Sequence, residues 1–118
     1  QQGAAEMTDM GNQLVANIFK ALSHPTRLKI MCLLKEKPLC VCHILPQLDS
    51  EPSNTSQHLA VLKNQGLVEG KKDGTMVLYR ISSPEVYEMI DMAEKIILRQ
   101  IEETKCSLQK TKILRKVE

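Results

Sequence analysis

Two cysteines, Cys40 and Cys42, are separated by a single residue and carry the most distinctive chemistry in the chain. Thiolates are soft donors that suit cadmium, lead, zinc, copper(I) and trivalent arsenic, so the pair can supply two ligands to one ion. The same thiols can take part in redox chemistry. The short separation disfavours a disulfide between the two, and an oxidised pair is better made with Cys32 or between Cys40 and Cys106. The pattern therefore favours a thiol-based sensor.

Further ligands are needed, because two sulfurs do not complete a metal site. Cys106 follows the last clear apolar stripe, so we expect it to be accessible and, in a dimer, to approach the cysteine pair of the other protomer. Cys32 lies in the apolar run 30–34 and is expected to be an inert core thiol. His43 is adjacent to Cys42 and offers a nitrogen ligand, but an adjacent side chain often points elsewhere, so we expect an ordinary surface histidine there. Cys106 is therefore the preferred third sulfur.

A run of short polar side chains after the cysteines is suited to contacts with DNA. Residues 53–58 begin a predicted helix, from which such groups can reach base edges and phosphates in a major groove. Lysines further along can contact phosphates. The alternatives are a solvated helix start and ordinary surface charges. The candidate DNA contacts are Ser53, Asn54, Thr55, Ser56, Gln57, His58, Lys63, Lys71, Lys72 and Thr75.

Four predicted helices place these residues. Apolar residues at helical spacing predict helices over residues 12–22 and 26–36, and a short third helix begins near Cys40 to Cys42 and runs to Leu48. The fourth helix has Pro52 in its first turn, and Ser50 or Glu51 is expected to cap it. Its core face holds Leu59, Val61 and Leu62, and Gly66 ends it.

The pattern then changes from helix to hairpin and back. Residues 67–72 and 75–81 flank Asp73-Gly74, which is typical of a tight hairpin turn. A long amphipathic helix follows over 84–105. It would leave apolar surface exposed beside so small a core, which favours a dimer over a helix packed only on its own domain.

The predicted fold is mainly α with a small β-hairpin, a winged helix-turn-helix in the order α-α-α-α-β-β-α. The sequence further predicts a flexible N-terminus at residues 1–11, a DNA-binding and dimerisation domain at residues 12–106 and a basic C-terminal tail at residues 107–118.

Composition restricts the functional class. The chain has 118 residues, 3% aromatic residues, four cysteines and a net charge of +2, which predicts one domain with an aliphatic core and reduced thiols. The sequence has no membrane-length apolar run and no signal-peptide pattern, so we expect a cytoplasmic protein without a membrane partner. No nucleophile–base pair, phosphate loop or Gly-rich cofactor motif is recognisable, so we expect neither an enzyme nor an organic cofactor.

Motifs along nearly the whole chain resemble the ArsR/SmtB family of small repressors. The matching segments are Ala21-Leu22-Ser23-His24-Pro25-Thr26-Arg27-Leu28-Lys29-Ile30, Leu39-Cys40-Val41-Cys42, Ser53-Asn54-Thr55-Ser56-Gln57-His58-Leu59-Ala60-Val61-Leu62-Lys63, Gly66-Leu67-Val68 and Gly74 through Tyr79-Arg80-Ile81. The resemblance implies a homodimeric repressor, paired through its terminal helices and released from double-stranded operator DNA by an inducer.

The resemblance also bears on that inducer. Family members sense metals or arsenite from the motif at Cys40 and Cys42, which implies arsenite, cadmium, lead or zinc. The third cysteine of the arsenite sensors is replaced by Leu45, and residues 1–31 lack the cysteines of the cadmium and lead sensors. A site of Asp and His ligands across the last helices is not expected, because no histidine follows His58. A redox or reactive-sulfur switch, or an architectural protein without inducer, stays as an alternative.

Overall fold

Helices dominate the chain, in a computed structural model that describes residues 2–49 and 51–117, with the side chains of residues 8–49, 51 and 53–112. The elements are α1 (Gln2–Leu22), α2 (Pro25–Leu34), β1 (Leu39–Cys40), α3 (Val41–Ile44), a 3₁₀ turn (Leu45–Gln47), α4 (Pro52–Asn64), β2 (Val68–Asp73), β3 (Met76–Ile81) and α5 (Glu85–Val117). Residues up to Ser83 form one compact unit, and α5 with Pro84 belongs to a second. Within the described residues no helix is both long and apolar enough to cross a bilayer.

The predicted winged helix-turn-helix is confirmed, with one added strand. β1 pairs antiparallel with β3, which also pairs with β2, so the sheet order is β1-β3-β2. Cys40 lies opposite Leu78 in this ladder. The predicted third helix begins at Val41, within the predicted range of Cys40 to Cys42, and gives way to a 3₁₀ turn at Leu45. Pro46 follows directly, and proline is tolerated in such an opening turn.

Two predicted helix boundaries are wrong. α1 begins at Gln2 instead of near residue 12, and α5 continues to Val117 instead of ending near residue 105. Residues 2–11 contain two glycines, but the alanines and other good helix formers between them outweigh that cost. Residues 107–117 include three Lys, two Leu, one Arg and one Gln, which also favour helix without a clear apolar stripe. The functional division of the chain at residues 11 and 106 stays a prediction.

The core of the first unit fixes the position of α4. α2 packs against α1, α4 and β3. The fully buried side chains of these elements and their connections include Ile30, Met31, Leu34, Ile44, Thr55, Leu59, Leu62, Leu67 and Val68. The predicted core face of α4 is confirmed for Leu59 and Leu62. Because these side chains lie on one side of α4, the opposite side of the helix is left for solvent or a ligand.

The end of α4 is defined by Gly66, as predicted. Its φ of 72° lies in the left-handed region, where glycine carries no steric penalty. The backbone N–H of Gly66 donates to the Lys63 carbonyl, and that of Leu67 donates to the Leu62 carbonyl. This pair of bonds is a Schellman cap. The hydroxyls of Ser82 and Ser83 both donate to the Gly66 carbonyl, so the end of the wing is tied to the end of α4.

The start of α4 and the wing turn differ in detail from the predictions. Glu51 is the N-cap residue, but its side chain makes no capping bond, and Ser50 lies outside the described residues. In the wing, Asp73 pairs with Met76, so the turn is Gly74-Thr75 instead of Asp73-Gly74. Gly74 takes the positive φ of 66° that a two-residue hairpin turn demands at its first position.

Candidate cysteine site and nucleic-acid interface

The junction between β1 and α3 brings Cys40, Cys42 and His43 together, and we call these three residues the cysteine site. Their ligating atoms all lie within 4.8 Å of one another. Cys40 ends a strand with ψ at 162°, and the helical turn that starts at Val41 folds Cys42 and His43 back toward it. Cys40 is buried, whereas Cys42 and His43 are exposed. The site is therefore anchored in the core and open to solvent on one side.

His43 is exposed, as predicted, and it also lies close to both cysteines. Its Nδ1 lies 3.3 Å from Cys40 Sγ. Residues three apart on a helical turn are neighbours, and that spacing was the available signal in the sequence. Two sulfurs and one imidazole nitrogen form a donor set that suits zinc or cadmium.

Cys40 and Cys42 are joined by a disulfide, so the prediction that their short separation disfavours one is wrong. The Cα atoms are 5.2 Å apart, within the range that a disulfide requires. The change from strand to helix between the two residues shortens their separation. Reduction of this bond is required before both sulfurs can serve as metal ligands, because the thiolate is the ligand form of cysteine.

A shallow cleft connects the cysteine site to the wing. Its volume is about 290 Å³, and it is lined by Cys40, Val41, Cys42, Thr75, Met76 and Val77. Met76 is 48% exposed although it is apolar. Chemistry at either sulfur therefore takes place next to the residues that begin β3.

The two remaining cysteines are free thiols on other helices. Cys32 lies on α2 and is exposed, so the prediction of an inert core thiol is wrong. The core face of α2 is formed by its neighbours Ile30, Met31 and Leu34, which turns Cys32 toward solvent. Cys106 lies on α5 and is exposed, in agreement with the expected accessibility. Its participation in the cysteine site stays a prediction.

The first turns of α4 expose most of the predicted DNA contacts. Ser53, Asn54, Ser56 and Gln57 are exposed, and Lys63 is exposed near the end of the helix. These short polar groups form a continuous surface at the start of α4 that can donate and accept hydrogen bonds.

The structure corrects the prediction for Thr55. Its side chain is completely buried, and its Oγ1 donates to the Glu51 carbonyl at 3.3 Å. Thr55 lies one turn before Leu59, on the side of α4 that packs against the core. Its methyl group serves packing, and it is not available to DNA.

His58 is half-buried and belongs to a second cluster, the histidine cluster of His24, Arg27 and His58. Arg27 Nε donates to His58 Nδ1 at 3.1 Å. The rings of His24 and His58 have centroids 4.3 Å apart. His24 is also the N-cap of α2, where its Nδ1 accepts from the Thr26 backbone N–H at 3.1 Å. Burial lowers the pKa of His58 below its ordinary 6.5, and the charges of His24 and Arg27 lower it further.

The wing presents the remaining candidates. Lys71, Lys72 and Thr75 are exposed at the far end of the β2–β3 hairpin. Nearer its base, Glu69 and Arg80 form an ion pair across the two strands. The lysines are therefore placed where a wing can reach phosphates or a minor groove.

Comparisons with known proteins agree with this architecture. A profile of the family described as "Bacterial regulatory protein, arsR family" matches residues 24–70. The chain is 38% identical over 88 residues to the uncharacterized HTH-type transcriptional regulator Rv0081 of Mycobacterium tuberculosis. The aligned region covers 74% of this chain and 77% of that protein. The chain is 35% identical over 89 residues to the cadmium resistance transcriptional regulatory protein CadC of Listeria innocua, and the aligned region covers 75% of each protein.

Solved structures give the same result. The crystal structure of Rv0081 superposes with a TM-score of 0.70 at 35% identity and covers 78% of this chain and 93% of that one. Reduced HlyU from Vibrio cholerae gives 0.66 at 32% identity, with coverages of 77% and 96%. The homodimeric winged helix-turn-helix DNA-binding domain of Mb0332 from Mycobacterium bovis gives 0.68 at 28% identity, with coverages of 87% and 92%.

Proposed function

The chain belongs to the arsR family of bacterial regulatory proteins, and from that premise we propose that it is a homodimeric transcriptional repressor controlled by thiol chemistry at the cysteine site. The family membership makes it a DNA-binding transcriptional regulator. The finer proposal is that a thiophilic metal or metalloid, of the cadmium, lead, zinc or arsenite class, acts as inducer. The observation that carries it is the convergence of Cys40, Cys42 and His43 beside the wing.

We assign DNA recognition to the exposed start of α4. Ser53, Asn54, Ser56 and Gln57 are the groups proposed to reach base edges. Lys63 and the wing lysines, Lys71 and Lys72, are proposed to neutralise phosphates, together with a hydrogen bond from Thr75. Binding of this kind weakens steeply with added salt, because each neutralised phosphate releases counterions.

Exposed apolar side chains support a second copy of the chain as partner. On α1, Leu14, Val15 and Phe19 are between 52% and 59% exposed. On α5, Ile96, Ile97 and Leu98 are between 46% and 62% exposed. Apolar stripes of this extent mark association surfaces. The homodimeric state of the similar Mb0332 domain favours the same assembly here.

The ligand assignment rests on the chemistry of the donors. Cys40, Cys42 and His43 would hold the ion, which would supply strong bonds that tie the three side chains together. Similarity to CadC, a cadmium resistance regulator, supports this class of inducer. Cys106 of the other protomer in a dimer is proposed as a further sulfur.

The β1–β3 ladder offers a path from the cysteine site to DNA. Leu39 pairs with Tyr79 and Cys40 with Leu78, so a shift of Cys40 is passed to β3 by backbone hydrogen bonds. β3 in turn carries the wing through its pairing with β2. A ligand that binds more tightly to one of two arrangements of β3 shifts the protein toward that arrangement. The resulting change in DNA affinity is limited by the difference between the ligand's affinities for the two arrangements.

A second candidate function is a redox or reactive-sulfur switch, favoured by the Cys40–Cys42 disulfide. The similarity to HlyU, for which the reduced form has been solved separately, points the same way. Here the controlling event would be oxidation of the Cys40 and Cys42 thiols to this disulfide, with two electrons and two protons passing to the oxidant. A disulfide made with Cys32, or between Cys40 and Cys106, stays as the alternative.

One experiment separates these functions. Protein reduced with a phosphine is titrated onto operator DNA alone, with cadmium, with arsenite, and after oxidation by a disulfide or polysulfide. We expect the reduced protein to bind and cadmium or arsenite to release it. Release by the oxidant alone would select the redox switch instead, and binding unaffected by every addition would indicate an architectural protein.

The DNA face is tested separately. We expect Ser56→Ala and Gln57→Ala each to cost roughly 1–3 kcal/mol of specific binding, because base contacts are lost. Lys71→Ala and Lys72→Ala should weaken binding to all sequences and reduce its salt dependence. Normal operator binding by both α4 variants would contradict the assignment of this helix.

A further inference from the structure

The histidine cluster lies outside the cysteine site and connects three elements of the DNA-binding unit. Arg27 extends from the first turn of α2 to His58 on α4, 31 residues away in sequence. Its Nη1 also lies 3.3 Å from the Lys20 carbonyl and 3.4 Å from the Ala21 carbonyl, at the end of α1. A single guanidinium therefore satisfies carbonyls of α1 and an acceptor on α4.

This contact determines where His58 carries its proton. A guanidinium donates hydrogen bonds and cannot accept them, so Nδ1 of His58 must have a free lone pair. A neutral imidazole with an unprotonated Nδ1 carries its proton on Nε2. His24 is fixed in the same way, because its Nδ1 accepts from the Thr26 N–H.

We propose that Arg27 is a positioning residue for DNA binding, which holds the His58 ring in the neutral form that offers Nε2–H as a hydrogen-bond donor to DNA. The proposal depends on α4 being the recognition helix, as proposed above. Arg27 acts through His58, and it needs no contact with DNA itself. Among the described residues, the charged or titratable side chains in contact with the ring are those of Arg27 on α2 and of His24, the N-cap residue of α2.

Protonation of His58 is incompatible with this contact. An imidazolium carries protons on both nitrogens, so its Nδ1 would meet the Arg27 N–H group donor to donor. The lowered pKa of His58 agrees with a ring held neutral by its surroundings. Removal of the Arg27 charge is therefore expected to raise that pKa and to release the ring from its fixed tautomer.

The first test is nitrogen NMR of the wild-type histidine rings at pH 7.5, in the full chain without DNA. We expect a His58 signal with an unprotonated Nδ1 and a protonated Nε2. In Arg27→Gln, we expect a mixture of tautomers and a higher pKa. A protonated Nδ1 in the wild type, or an unchanged ring in the variant, would overturn the proposal. This measurement is independent of whether α4 is the recognition helix.

The second test uses two substitutions of His58 that each keep one half of the ring's chemistry. The amide nitrogen of His58→Gln lies near the position of Nε2, so this variant keeps the outer donor. The shorter His58→Asn places its polar group near Nδ1 and loses that donor. We expect His58→Asn to lower operator affinity about tenfold and His58→Gln to lower it much less. Equal losses would contradict a role for Nε2–H.

The third test asks whether Arg27 acts through His58. We expect Arg27→Gln to lower operator affinity about tenfold in the wild-type background and by less than about threefold in His58→Asn. Equal losses in both backgrounds would assign Arg27 a direct contact with DNA and overturn the proposal. Should Ser56→Ala also leave affinity unchanged, the recognition helix itself would be misassigned.

Discussion

The cysteine site and the histidine cluster both bring nitrogen or sulfur groups close together, but they differ in the contacts that those groups already make. In the histidine cluster, each Nδ1 already accepts a hydrogen bond, from Thr26 or from Arg27. In the cysteine site, the sulfurs contact each other and His43. The bond between these sulfurs can be opened by a reductant.

This difference distinguishes the cysteine site, whose atoms can bind an ion, from the histidine cluster, whose atoms already make hydrogen bonds within the protein. A cationic guanidinium next to His58 also repels any metal ion that would approach the ring. The cysteine site has no such cation among its three residues, and one side of it is exposed. A cluster of potential ligands is therefore judged by the hydrogen bonds that its atoms already make, as well as by its residue types.

The largest expected effect is the loss of metal binding when a sulfur is removed. In reduced protein, we expect Cys40→Ser or Cys42→Ser to lower cadmium affinity on the order of a hundredfold or more, because a hard oxygen replaces a soft thiolate. This loss is larger than that expected when a residue that only supports a ligand is removed. Sulfur-to-cadmium charge-transfer absorption measures it. His24→Asn is the matched control, since Asn retains helix capping at this position and should leave cadmium affinity unchanged.

Two results would contradict that prediction. If both serine variants bind cadmium as tightly as the wild type, the ion is held elsewhere in the chain. If His24→Asn weakens cadmium binding as strongly as Cys40→Ser, the two clusters do not differ in the way their hydrogen bonds indicate.

A smaller effect is expected from His43. Its Nδ1 is 3.3 Å from Cys40 Sγ, so His43→Ala removes one nitrogen donor and leaves both sulfurs. We expect cadmium affinity to fall about tenfold, with little change in operator affinity. Competition against a chelator of known affinity measures the loss. An unchanged cadmium affinity would exclude His43 as a ligand and make Cys106 the leading third ligand. A loss of cadmium affinity in Cys106→Ser would then confirm that role.

The fold followed from sequence patterns that are local and repeated. Helical spacing in α2 and α4, a glycine at the end of α4 and a change to strand residues were sufficient for the winged helix-turn-helix. β1 was missed because a strand of two residues has no period to detect. The helix limits at Gln2 and Val117 were missed because propensity alone, without an apolar stripe, extends both helices.

The candidate site was predictable in part. The cysteine pair and the polar start of α4 are visible as residue types and spacing. The burial of Thr55 could have been predicted from its place one turn before Leu59, on the core side of α4, but its polar side chain favoured a DNA contact instead. The Arg27–His58 bond joins residues 31 positions apart, and no local pattern signals such a contact. Tertiary packing therefore decides which polar residues of α4 are exposed.

The smallest expected effect is a dependence of stability on pH that comes from the histidine cluster. The pKa of His58 is lowered from 6.5 in the folded chain, mainly by burial. Between that lowered pKa and 6.5, the unfolded chain binds a proton that the folded chain does not, so stability rises with pH in this window. The contribution is fully present above pH 6.5 and is lost as pH falls through the folded pKa. Urea unfolding of reduced protein from pH 5 to 8 measures it. His58→Gln should flatten the dependence, whereas Ser56→Ala should keep it. A wild-type slope that survives in His58→Gln would place the titrating group outside the histidine cluster.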